Sequence, residues 1–137
     1  MESDLHLSLC RSLKSDIEKR TSSFENIFWE TGTTAFRDLP TTTEICGFKP
    51  DLKAFTQDFS VCFLGDAKTQ NDIKNKHTQA QLYAFLVFGK DFNRFALFYR
   101  VPTNCFHRCA QLIKDLNIPK SLQTPLYINN ILFDFNI

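Results

Sequence analysis

The order of apolar patterns along the chain predicts an α/β fold, a central mixed sheet flanked by helices. Three observations carry that prediction. Leu5, Leu9, Leu13 and Ile17 recur at every fourth position in residues 3–20, a helical stripe. Three strand-like runs follow closely, and helical and strand patterns then alternate through 71–117. A length of 137 residues, 43% hydrophobic and with fifteen Phe, suits a single domain over 1–137 with a sizeable core.

The first helix is capped by Ser3 or Asp4, and Lys19-Arg20 favour its C-terminal end. The aromatic run 24–30 reads as a strand, and Trp29 and the many Phe as core. Residues 31–43, rich in Thr with Gly and Pro, read as a loop of a length that is often functional. In 44–55 the alternation puts Cys46, Phe48, Leu52 and Ala54 on one face and Ile45, Lys49, Asp51 and Lys53 on the other. Gln57-Asp58 turns the chain into a third strand over 60–68. A helix spans about 71–88, with Ile73, Ala80, Ala84 and Val87 as its packing stripe and His77 beside them, and Gly89 ends it. Residues 92–101 form the next strand, and Pro102-Thr103 opens a helix to about Asn117 with Phe106, Cys109, Ala110, Ile113 and Leu116 inward. The tail after Pro119 and Pro125 supplies an edge strand or an apolar strap.

A net charge of +1 does not mark a nucleic-acid binder, so phosphate affinity must come from charge placement. Five cysteines without a CxxC pair read as free thiols; Cys105 and Cys109, four apart, do not close a zinc site. His6 and His107 give no metal-ligand spacing. No apolar run is long enough for a membrane helix, and residues 1–16 lack the pattern of a signal peptide, so a cytoplasmic protein without membrane contact is expected.

The chemistry concentrates in 49–83. Asp66 and Lys68, two apart on a strand, leave the same face, and antiparallel pairing through the 57–58 turn brings Asp51 near Asp66. Two carboxylates there, with the Ala67 carbonyl, offer hard oxygen ligands to Mg²⁺ or Mn²⁺. Lys68 beside them is placed to position a water or stabilise phosphorane charge. Charges at the end of so apolar a strand are unexpected for a merely solvated pair. Gln79 and Tyr83 lie one helical turn apart on a stripe with Asp72 and Lys76. Lys49, Lys53, Lys74, Lys76 and Lys90 flank the region as a phosphate track, or as charges that protect strand edges.

Pro50-Asp51 followed by Asp66-Ala67-Lys68 resembles the signature of the PD-(D/E)XK nuclease superfamily, and Gln79-Ala80-Gln81-Leu82-Tyr83 is similar to the QxxxY motif of its RecB-like branch. The likeness covers residues 44–88, and the rest only through element order. It implies a restriction-endonuclease-like αβββαβ core with a C-terminal helix and edge strand. It also implies that Asp51 and Asp66 bind the metal, that Lys68 serves the attacking water, and that Gln79 and Tyr83, with Lys49, Lys53 and Lys76, meet nucleic acid. Many members add a glutamate from the first helix, for which Glu2, in phase with Leu5 and Leu9, is preferred over Glu18 and Glu25. The expectation is a Mg²⁺-dependent DNA nuclease, directed to a DNA structure or end, or working as a homodimer or an accessory subunit of a DNA-processing complex. RNA is a neighbouring substrate. The alternative is a catalytically inactive nucleic-acid-binding or protein-interaction module on the same fold, and beyond it a plain structural partner.

Overall fold

Helix α1 (Asp4–Thr21) starts where the Ser3 hydroxyl accepts the His6 amide at 3.1 Å, with Asp4 in its first turn and Lys19 and Arg20 in its last. It is the first element of a computed structural model that describes residues 2–73 and 75–136. The buried face of α1 is Cys10, Leu13, Asp16 and Ile17, whereas Leu5 is 50% exposed. The expected stripe therefore holds over its C-terminal half only, because the first turns extend past the sheet.

Strands β1 (Ile27–Thr31), β2 (Leu52–Thr56) and β3 (Val61–Ala67) form an antiparallel meander. Helix α2 (Asn75–Gly89), preceded by a 3₁₀ turn at Gln70–Asp72, crosses to β4 (Arg94–Arg100), which runs parallel to β3. Helix α3 (Phe106–Asp115) then crosses to β5 (Leu126–Ile128), parallel to β4, and β6 (Ile131–Leu132) closes a hairpin on the edge. The result is an open six-stranded mixed sheet of order β1-β2-β3-β4-β5-β6. Among the described residues no helix is long and apolar enough to cross a membrane.

The sheet separates two cores. On one face Cys10, Leu13 and Ile17 of α1 meet Leu52, Ala54, Val61, Phe63, Ala96 and Phe98. On the other, Leu82, Phe85 and Leu86 of α2 and Cys109, Leu112 and Ile113 of α3 cover Cys62, Leu64, Leu97 and Tyr99. All seven residues of β3 are buried, as expected for a central strand covered on both sides. Gly65 lies under α1, where a Cβ would come within 2.9–3.1 Å of Ile17 and Leu13 methyls. Its missing side chain sets how closely α1 approaches β3.

Two expected patterns are corrected. The alternation proposed for 44–55 breaks at Cys46 and Gly47, both at positive φ, which make a tight turn with reciprocal Ile45–Phe48 backbone bonds of 2.7 and 3.0 Å. Cys46 is thereby exposed and Ile45 buried, and regular strand begins only at Leu52. In α2 the inward face is Thr78, Gln81, Leu82, Phe85 and Leu86; Ala80 is exposed and Ala84 and Val87 are half-buried. Burying Leu and Phe removes far more apolar area than burying Ala, so the larger side chains set the rotation of the helix. His77 follows that rotation out of the core; it is exposed and packs edge-on against Phe48 at 5.4 Å.

Candidate active site

The β2–β3 register pairs Leu52 with Gly65, so one step further Asp51 faces Asp66. Where the ladder ends, the two aspartates continue it with their side chains. The Asp51 amide donates to Asp66 Oδ1 at 3.1 Å, and the Ala67 amide donates to Asp51 Oδ2 at 2.8 Å. Ala67 N–H thus points toward β2, and its carbonyl leaves by the same strand edge. Lys68 Nζ lies 2.8 Å from Asp66 Oδ2, while the Lys68 amide bonds the Arg100 carbonyl of β4. Asp51, Asp66 and Lys68 are 8%, 4% and 7% exposed, so two acids and one base share a buried strand end.

The Thr-rich loop is a clamp on this end. The Thr31 hydroxyl and the Gly32 amide both donate to the Asp51 carbonyl, at 2.8 and 3.0 Å. Thr33 and Thr34 reach Glu2: the Thr33 hydroxyl bonds Oε2 at 2.5 Å, and the Thr34 amide and hydroxyl bond Oε1 at 2.7 and 3.0 Å. Glu2 stands just before the Ser3 cap, and His6 joins it to the strands, with Nδ1 2.7 Å from Glu2 Oε2 and Nε2 3.2 Å from Asp51 Oδ2. Cys10, one turn deeper in α1, has its sulfur 3.9 Å from the His6 ring nitrogens.

Electrostatics follow from these contacts. Burial, and then the neighbouring Asp51 charge, push the Asp66 carboxyl up to about 7 against the pull of Lys68. Its hydrogen bond to Asp51, helped by Cys10, raises His6 to about 11, so the ring is an imidazolium between two carboxylates. Burial works upward on Glu2, but the bonds from Thr33 and Thr34 and the His6 charge outweigh it and hold the acid low.

Glu2, His6, Asp51, Asp66 and Lys68 line one side of a cleft of about 720 Å³. The opposite wall is Thr69, Asn71 and Asp72 of the 3₁₀ turn with His77 and Gln81 of α2. Gln81 is 5% exposed, and its Oε1 has no hydrogen-bond partner among the described residues. Asp72 is held low, against the upward effect of burial, by the Thr69 hydroxyl and amide.

Of the residues predicted from the sequence, Asp51, Asp66, Ala67, Lys68, Glu2 and Lys49 line this cleft. Gln79 and Tyr83 do not. Gln79 Nε2 bonds the Leu112 carbonyl of α3 at 3.2 Å, and Tyr83 is 45% exposed outside the cleft lining. Gln79 and Gln81 lie about 200° apart around a helix, and Leu82, Phe85 and Leu86 turn the second one inward. Lys53 shares the sheet face of Asp51 but stands two residues further along β2, over the Phe55 and Phe88 rings and 3.8 Å from Glu30, outside the cleft lining. Lys76 is exposed outside the lining, Lys90 borders a separate cavity, and Lys74 lies outside the described residues. His6 is the residue that the spacing argument missed. Its signal was present: Glu2, His6 and Cys10 recur at four-residue steps, a polar stripe along α1.

No family model matches the chain, and neither a curated protein nor a solved structure matches it significantly. Asp51 and Asp66 sit side by side, and burial first, with the Asp51 charge second, favours a proton at Asp66, a situation that a shared divalent cation relieves. Their oxygens and the Ala67 carbonyl suit a hard cation. Around Asp51 a second donor set gathers, in which one ligand atom each of Glu2, His6, Cys10 and Asp51 lies within 4.8 Å of the others.

Proposed function

We propose that this chain is a metal-dependent nuclease that hydrolyses DNA phosphodiester bonds on a restriction-endonuclease-like fold. The observation that carries the reading is the burial of Asp51, Asp66 and Lys68 together on the floor of an open cleft. The element order agrees with it: a helix, a three-stranded meander, a crossover helix and a parallel fourth strand, with the acids at facing ends of the second and third strands.

Asp51, Asp66 and the Ala67 carbonyl are the residues that hold Mg²⁺ or Mn²⁺. Such a cation, when bound, polarises the scissile phosphate and acidifies a water. Lys68, with one donor on Asp66, keeps two for the attacking water and the charge that develops on phosphorus. Gln81 offers its free Oε1 to a water hydrogen from the opposite wall. Thr31, Gly32 and His6 fix the Asp51 backbone and carboxylate so that the acids keep their orientation. Lys49 on the cleft wall suits a DNA phosphate.

A second reading, a nucleic-acid-binding module without cleavage, has one observation in its favour. Lys68 and His6 already sit on Asp66 and Asp51, so internal cations neutralise both acids. Plasmid and oligonucleotide cleavage in Mg²⁺ or Mn²⁺ decides between the two. We expect wild type to cut, and Asp66→Ala and Lys68→Ala to lose about 10²–10³-fold or more. Equal cutting by all three proteins removes the proposed site. DNA binding without any cutting by wild type selects the second reading.

A further inference from the structure

The two donor sets that meet at Asp51 differ in chemistry. On one side are carboxylate and carbonyl oxygens, which suit hard cations; on the other are the Glu2 carboxylate, the His6 imidazole and the Cys10 thiol. Nitrogen and sulfur donors favour borderline and soft ions over Mg²⁺, and a Cys-His-carboxylate set is a normal tetrahedral ligand combination for zinc. The geometry is already close. Ligand atoms around tetrahedral zinc lie about 3.5 Å apart. Here one ligand atom from each residue lies within 4.8 Å of the others. His6 meets Glu2 through Nδ1 at 2.7 Å and Asp51 through Nε2 at 3.2 Å, with the Cys10 sulfur 3.9 Å from either nitrogen. The cation therefore takes one ring nitrogen, and the contact at the other is given up. His6 and Cys10 sit on successive turns of α1, and Thr33 and Thr34 fix Glu2 just ahead of its Ser3 cap. The cation reaches them through the cleft, whose lining includes Glu2, His6 and Asp51, with Cys10 behind His6.

We propose that Glu2, His6, Cys10 and Asp51 form a second cation site, selective for thiophilic ions of the Zn²⁺ class, and that filling it takes Asp51 away from the nuclease centre and silences it. On binding, the cation replaces the His6 ring proton now shared with the carboxylates and the Cys10 thiol proton, and both leave to solvent. Asp51 Oδ2 is the contested atom, since it now accepts from both Ala67 N and His6. Asp66 and Lys68 belong only to the hard-ion centre. The binding part of the proposal stands on the cluster alone; the silencing part rests on the nuclease reading.

The test titrates chelator-treated protein with Cd²⁺ and with Co²⁺ and follows thiolate-to-metal charge-transfer absorption. Cys46, the exposed thiol, is first replaced by Ser in every protein compared. One equivalent should produce the band in this background and in Asp66→Asn, and Cys10→Ser should abolish it and weaken Zn²⁺ binding about 10–100-fold by competition with a chromophoric chelator. His6→Gln should weaken binding similarly, a second variant in case Cys10→Ser fails to fold. In cleavage assays at fixed Mg²⁺, Zn²⁺ should inhibit Cys10→Ser at concentrations about tenfold or more above those that inhibit its parent, each referred to its own Zn²⁺-free rate. Absence of the band in the parent, or its persistence in Cys10→Ser, overturns the site. Cleavage without Zn²⁺ inhibition overturns the silencing. A band in a protein that never cuts supports the site and counts against the nuclease reading instead.

Discussion

The cleft has two halves built in different ways. The strand half, Asp51, Asp66 and Lys68, is held by backbone: two aspartates exchange bonds with main-chain amides where the β2–β3 ladder ends, and all three side chains are buried. The helix half, Glu2 just ahead of α1 and His6 within it, with His77 and Gln81 from α2, is held by side chains and by how each helix rotates against the sheet. Position in the first half follows from register, and in the second from packing. That difference decides which half tolerates change.

The largest separation is expected in stability. Asp66→Ala leaves the Lys68 charge buried and unpaired, which should cost about 3–5 kcal/mol, whereas Glu2→Ala, at a partly exposed site, should cost about 1 kcal/mol. Urea unfolding of the two variants measures this, and equal losses would erase the distinction between the halves. The pH dependence sharpens it. The folded Asp66 carboxyl is raised from 3.8 to about 7, so the folded state holds a proton that the unfolded state has released. Stability should therefore fall as pH rises from about 4 to 7, and Asp66→Asn should flatten that window. His6, raised from 6.5 to about 11, contributes stability that is full below 6.5 and lost as pH rises through 11. Melting temperature against pH, in EDTA, reads both windows separately.

A smaller effect should come from Gly65→Ala. The added methyl presses on Leu13 and Ile17, costing about 1–3 kcal/mol, and displaces α1 with Glu2 and His6 while leaving the β2–β3 register in place. Cleavage lost well beyond the fraction unfolded would show that the strand half needs the helix half; cleavage that tracks folding would show that it does not. The smallest effect compares two glutamines. Gln81→Ala should lower the cleavage rate about tenfold with little change in stability, and Gln79→Ala should cost about 1 kcal/mol by losing its bond to the Leu112 carbonyl, with cleavage kept. The reverse result would return the cleft role to Gln79.

Much of the strand half was legible in the sequence. Period-two patterning places Asp66 and Lys68 on one face, and a short turn after β2 brings Asp51 opposite Asp66, because a hairpin's register is set by its turn. The helix half was legible only in part. Glu2 is in phase with Leu5 and Leu9, but spacing among the histidines does not single out His6, which stands out only along the Glu2, His6 and Cys10 stripe. In α2 two polar residues stand two apart in an apolar helix, and the motif-like pair Gln79 and Tyr83 competed with Gln81. Nothing local ranks them. Rotation depends on which of Leu82, Phe85 and Leu86 meet Cys62, Leu64 and Leu97 across the interface.

The sequence by itself determined the element order, the two-sided burial of β3 and the facing of Asp51 with Asp66. These depend on side-chain period and on contacts between neighbours along a hairpin. Only the tertiary structure decided that Gly65 lets α1 sit close enough for His6 to reach Asp51, that the Thr-rich loop folds back onto Glu2, and that Gln81 rather than Gln79 enters the cleft. Those contacts join residues far apart in the chain. Their geometry is a property of how helices pack on the two faces of one sheet, which no local pattern encodes.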